Sequence, residues 1–160
     1  MKKETIKLNY TEYDTLSELP DRERLLIERA QQSAKDAYAP YSKFRVGVSV
    51  LLENGEIVTG NNQENAAYPS GLCAERVAVF YASAKYPKMA IEAIAITAIS
   101  DDSSLKIPPF PCGACRQVLA EYEYRQKNPI RFIFHAQSGK TIVMEGIDNL
   151  LPFPFVQNNS

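Results

Sequence analysis

Cys73, Cys112 and Cys115 are the three cysteines of the chain, and Glu75 stands two residues after the first of them. Cys112 and Cys115 follow Pro111 at a separation of three, so on a helix they share one face and can chelate a single ion. In a first helical turn the macrodipole and the free N–H groups favour thiolate over thiol. Cys73 also stands where a helical pattern begins. Two helix starts aimed at one point would let three thiolates hold one Zn²⁺ and leave a fourth position open, the arrangement that catalytic zinc centres keep. A water activated there needs a proton acceptor, and a departing amine needs a proton. Glu75 is placed to do both in turn. Three thiolates make the metal a weak Lewis acid, so Arg76, beside Glu75, is expected to donate to the sulfurs and draw off part of that charge.

Each residue has a plainer reading. A Cys-x-x-Cys pair alone is often a redox couple or half of a structural zinc site. A structural site needs a fourth ligand, and the single histidine, His135, sits in a strand pattern between Phe134 and Ala136. A redox pair of the thioredoxin kind usually follows an early strand, whereas this one comes late, after a proline-rich loop. The three cysteines, the placed glutamate and the two helix starts together favour a catalytic zinc, one per chain.

The elements that must position these residues read as follows. Thr5–Tyr10 is a candidate strand in an N-terminal arm that runs to about residue 20. Pro20 is set at the first position of a helix whose stripe is Leu26, Ile27, Ala30, Ala34 and Ala37, ending before Ala39-Pro40. Val46–Leu52 and Glu56–Gly60 are strands joined by an Asn54-Gly55 turn. Cys73–Lys85 is an Ala-rich helix, apolar almost all round, that should be buried centrally or between subunits. Ile91–Ile99, Arg131–Ala136 and Thr141–Met144 are further strands, and a helix opens at Pro111 and runs through Tyr122. The pattern predicts one domain over residues 1–160, a three-layer α/β/α fold with a mixed, mostly five-stranded sheet. Residues 150–160 form a C-terminal tail.

Composition excludes little but agrees with this. The chain has 160 residues, 45% hydrophobic and 23% charged, with a formal net charge of -1. A binder of nucleic acid needs clustered Lys and Arg, which this balance does not offer. No apolar run approaches the ~20 residues of a membrane span. No signal-peptide pattern follows Met1, so the cytosol is the expected compartment, and an odd number of cysteines suits a reducing one.

Cys73-Ala74-Glu75-Arg76 followed by Pro111-Cys112-Gly113-Ala114-Cys115-Arg116-Gln117 resembles the small, homotetrameric cytidine deaminases, a motif class already described for zinc deaminases in general. The likeness runs from roughly Ala37 to Phe155. Tyr38–Gly47 resembles the family's Pro-Tyr-Ser-x-Phe-x-Val-Gly segment, and the resemblance implies that Phe44 packs on the pyrimidine ring. Asn62–Tyr68 resembles its Asn-x-Glu-Asn-Ala segment, which implies that Asn62 and Glu64 hold the ribose hydroxyls. Backbone groups at Ala66 and Ala74 are implied to orient the base. Phe155 resembles an aromatic that reaches a neighbouring subunit's site.

The resemblance thus implies hydrolysis of cytidine and 2′-deoxycytidine to the uridines with release of ammonia, in pyrimidine salvage. The expected partners are a free nucleoside and further copies of the chain in a tetramer, with no nucleic acid and no membrane. Three rivals stand beside it. A relative acting on another aminated pyrimidine, such as blasticidin S, has less reason to carry Asn62 and Glu64. A deaminase of RNA or DNA needs a basic groove. A structural-zinc module would be indifferent to Glu75. Two segments depart from the family pattern, the arm Met1–Leu19 and a longer loop Ser100–Phe110.

Overall fold

The computed structural model describes residues 1–100 and 105–157. Its strands and α-helices run β1 (Thr11–Tyr13), α1 (Asp21–Lys35), β2 (Phe44–Leu52), β3 (Ile57–Asn61), α2 (Ala74–Lys85), β4 (Ile91–Ser100), α3 (Gly113–Gln126), β5 (Arg131–His135) and β6 (Thr141–Glu145). The strands form one mixed sheet in the order β1-β6-β5-β4-β2-β3. Among the described residues only the β4–β5 strand pair is parallel, and α3 makes the crossover between them. The expected layering holds.

Strand alternation sorts the core into two halves, because successive side chains point to opposite faces. Val48 and Val50 of β2, Ile94 and Ile96 of β4, and Phe132 and Phe134 of β5 pack with Ala78 and Val79 of α2 and Leu119 of α3. Leu51, Ala93, Ala95, Ile133 and Val143 face the other way, onto Leu26, Ile27 and Ala30 of α1. Both helix layers lie unusually close to the sheet at a glycine. A Cβ on Gly47 would sit 2.0 Å from the Ala30 carbonyl oxygen, and one on Gly60 would sit 2.6 Å from the Ala78 nitrogen. At these two positions only glycine lets helix backbone approach strand backbone. Asn54-Gly55 makes the expected hairpin turn, with Gly55 at φ +84°.

Several boundaries differ from expectation. The sheet has six strands because the arm contributes one, at Thr11–Tyr13 rather than Thr5–Tyr10. Thr11 pairs with Val143, the middle residue of β6, and the ladder does not continue upstream of that pair. Asn9 N–H there donates to Asn149 Oδ1 instead. Pro20 caps α1 rather than opening it. The helix also stops at Lys35, short of Ala39, because Tyr38 N–H donates to the Asn62 carbonyl and the Tyr38 carbonyl accepts from Glu64 N–H. α2 is buried along one side only; Phe80 and Tyr81 on its outer side are exposed. Of the loop expected over Ser100–Phe110, residues 101–104 lie outside the described residues. No helix among the described residues is long and apolar enough to cross a membrane.

Candidate active site

The two helix starts do converge. Cys73 is the N-cap of α2, Cys112 is the N-cap of α3, and Cys115 lies one turn into α3. Their sulfurs lie within 4.8 Å of one another, with Cys73–Cys112 at 3.8 Å and Cys112–Cys115 at 3.5 Å. A tetrahedral zinc with Zn–S near 2.3 Å holds its sulfurs about 3.8 Å apart, so the donor set fits that ion. Neither N-cap sulfur makes a capping hydrogen bond, which leaves both free as ligands.

Charge within the cluster is uneven. The Cys73 thiol is pulled down to about 5, first by a hydrogen bond from Cys115 and further by Arg76. The Cys115 thiol is pushed up, mainly by that same bond and by burial. Between this bonded pair the negative charge therefore resides on Cys73. Arg76 Nη2 donates to the Cys73 sulfur at 3.6 Å, and this contact holds the guanidinium charged. Glu75, in the first turn of α2, is 5% exposed. Burial raises its pKa, and the charge on Cys73 adds to the rise. A first-turn glutamate placed only for the helix dipole would face solvent; this one faces the thiolates.

Beside the cluster lies a cleft of about 520 Å³ whose walls include Tyr41, Asn62, Glu64, Tyr68, Cys73 and Arg76. Asn62 and Glu64 are thus brought to the metal ligands. Both are already engaged. Asn62 Oδ1 accepts from Val46 N–H at 2.7 Å, and its Nδ2 donates to the Phe44 carbonyl at 2.9 Å. Glu64 accepts from Tyr41 N–H at 2.9 Å, from Ser42 N–H at 3.3 Å and from the Ser42 hydroxyl. The Ser42 bond leads in holding the Glu64 carboxyl below its ordinary range.

The other expected substrate residues do not line this cleft. Phe44 opens β2, half-buried, in phase with Val46 and Val48 and so on the sheet face that carries α2 and α3. Ala74 is fully buried at the start of α2, and Ala66 is exposed on the loop after β3. Phe155 is 77% exposed, yet its backbone is clamped. Gln117 Nε2 donates to its carbonyl at 2.7 Å, and its N–H donates to Gln117 Oε1 at 2.9 Å. His135 is buried in β5 with Nδ1 2.9 Å from Thr141 Oγ1 and is not part of the sulfur cluster. A second groove, about 380 Å³ by Ser83, Tyr122 and Arg125, holds none of the chemistry.

Sequence reasoning missed three participants: Tyr41, Ser42 and Gln117. Ser42 has a local signal, because its hydroxyl accepts the N–H two residues on, a Ser/Thr-turn habit. Gln117 has none, since its partner is 38 positions away.

Three convergent cysteine sulfurs with no fourth protein ligand among the described residues, and a buried carboxyl group against them, fit a zinc-dependent hydrolase rather than a structural zinc module. The comparisons agree. Residues 20–128 match the family model "Cytidine and deoxycytidylate deaminase zinc-binding region". A cytidine deaminase of Halalkalibacterium halodurans is 45% identical over 98 residues, 61% of this chain and 70% of that protein. One from Mycobacterium tuberculosis is 38% identical over 105 residues, 65% and 74% of the two chains. Among solved structures, cytidine deaminase from Burkholderia pseudomallei superposes with a TM-score of 0.73 at 34% identity, covering 86% of this chain and all of that one. The M. tuberculosis structure gives 0.65 at 32%, covering 86% and 99%. The chain belongs to the cytidine deaminase family, and Cys73, Cys112 and Cys115 are its zinc ligands.

Proposed function

We propose that this protein hydrolyses the 4-amino group of free cytidine and 2′-deoxycytidine, with Glu75 moving the protons. The zinc, when bound, supplies the Lewis acidity that makes water a nucleophile near neutral pH. Glu75 takes a proton from the attacking water and passes it to N3; it then takes the remaining proton from the C4 hydroxyl and delivers it to the amine, which leaves as ammonia while the C4 carbonyl forms. Water and cytidine thus give uridine and ammonia. Arg76, donating to the Cys73 sulfur, draws charge from the ligand set and keeps the metal acidic.

Asn62 and Glu64 bind the ribose hydroxyls with the acceptor and donor capacity their loop bonds leave free. Phe44 is the base platform, and backbone groups of Ala66 and Ala74 orient the pyrimidine edge. Phe155 completes the site of a neighbouring copy in a homotetramer, and its clamped backbone with a bare ring supports that role. The enzyme acts in the cytosol, where three unpaired cysteines stay reduced.

The burial of Glu75 against three convergent sulfurs is the observation that carries this reading. The test is the ultraviolet change as purified, zinc-replete protein meets cytidine, then deoxycytidine. Turnover of both is expected. Full zinc with neither nucleoside consumed would overturn the assignment in favour of another aminated pyrimidine.

A further inference from the structure

Lys43 lies between Ser42 and Phe44 at φ +56°, a left-handed conformation that non-glycine residues adopt only where their surroundings hold them. The surroundings here are specific. Ser42 Oγ donates to Glu64 Oε1 and accepts from Phe44 N–H at 3.1 Å, so the hydroxyl bridges the two across the strained residue. The same carboxylate takes the N–H groups of Tyr41 and Ser42 on its other oxygen. On the far side Asn62 closes the arrangement, donating to the Phe44 carbonyl and accepting from Val46 N–H. The Phe44 backbone is thus held at its N–H through Ser42 and at its carbonyl by Asn62.

We propose that Ser42 is a positioning residue that ties the sugar-binding carboxylate of Glu64 to the backbone of Phe44, so that ribose site and base platform are set as one unit. The inference rests on the nucleoside roles proposed above for Glu64 and Phe44. An ionised carboxylate accepts about four hydrogen bonds, and the loop takes three. One acceptor position on Oε1 is left for a sugar hydroxyl. A hydroxyl hydrogen cannot point at Glu64 and at another acceptor together, so Ser42 also fixes which way that vacant position faces. Losing the hydroxyl frees both neighbours. Glu64 becomes able to rotate, and the Phe44 N–H loses its acceptor while Lys43 loses part of what holds it left-handed.

The test compares Ser42→Ala and Ser42→Thr with the unmodified, zinc-replete protein. In Ser42→Ala the KM for cytidine is expected to rise about tenfold while kcat stays within about twofold, the size of one hydrogen bond to a charged group. Calorimetric affinity for uridine should fall in parallel. Ser42→Thr, which keeps the hydroxyl, should restore both to within about threefold. Residue-resolved amide exchange reads the clamp without any catalysis: the Phe44 amide should exchange about tenfold faster in Ser42→Ala, with core amides such as Ile96 unchanged. An unchanged Phe44 exchange rate overturns the relay whatever the enzyme acts on. An unchanged KM and uridine affinity in a protein that does turn over cytidine also overturns it. Faster Phe44 exchange in a protein that ignores cytidine upholds the tie and rejects the substrate reading instead.

Discussion

Arg76 sits one helical turn after Cys73 and donates from Nη2 to its sulfur at 3.6 Å, so the ligand whose thiol pKa is lowered is also the one with a cation beside it. Both properties come from one stretch of sequence, because positions three apart meet on a helix face. Removing the guanidinium leaves the sulfurs in place and concentrates charge on them. Arg76→Gln is expected to keep one zinc per chain and lose about 10–100-fold in kcat, the usual scale for an outer partner of a metal ligand. Metal analysis beside steady-state kinetics checks this; unchanged turnover would remove Arg76 from the account.

With the metal stripped by a chelator, Cys73 should react more readily than Cys115. Its pKa is lowered to about 5, so the thiolate predominates above that pH and is lost as pH falls through it. Buried Cys115 is shifted the other way. Alkylation of the metal-free protein near pH 6.5, read by mass spectrometry, should label Cys73 well before Cys115, and the Cys73 rate should fall off below about pH 5. Zinc should protect both. Faster labelling of Cys115 would contradict the charge distribution.

Gly47 and Gly60 mark where α1 and α2 touch the sheet backbone. Gly47→Ala must push α1 off β2, since its Cβ would meet Ala30 and Ala34 backbone atoms at 2.0–2.9 Å. The expected destabilisation is about 1–3 kcal/mol, the range of overpacked cores. Urea unfolding at fixed zinc measures it. Gly113, with nothing near its Cβ position, is the matched site where alanine should cost far less.

Gln117 holds the tail that carries Phe155. Gln117→Ala should free the tail without touching the sulfurs, raising the KM for cytidine while zinc content stays at one per chain. Phe155→Ala should do the same. Light scattering should find an assembly of copies in both the parent and the variants. A fully active monomer would end the idea of a shared site.

The zinc ligands were legible in the sequence because chelation demands few residue types at fixed spacing, and a helix start after Pro111 supplies the geometry. Glu75 was legible as a neighbour of the metal, but not as a buried one. Glu75 lies on the buried side of α2 with Ala78, Val79 and Ala82, a side that an apolar pattern running almost all round the helix does not single out. Asn62 and Glu64 line the cleft beside Cys73, and their bonds to Phe44, Val46 and the Tyr41-Ser42 turn were hidden from the sequence, since these partners lie 16–23 positions away. The arm's strand was expected too early, at Thr5–Tyr10, for a related reason. Thr11–Tyr13 is three residues long and is a strand only because β6 pairs with it. α1 ended early because Tyr38 found a bridge to the segment after β3, a long-range competitor that helical periodicity cannot see.

The central claim is that Glu75 carries the protons beside a zinc it does not bind. Cytidine turnover by Glu75→Gln, measured with bound zinc on the same preparation, tests it most directly. The account predicts one zinc per chain, as in the parent, with kcat lowered at least about 100-fold, the contribution of a positioned acid–base group. Turnover near the parent rate with zinc in place would contradict it. Loss of zinc together with turnover would contradict it too, because Glu75 would then be holding the metal.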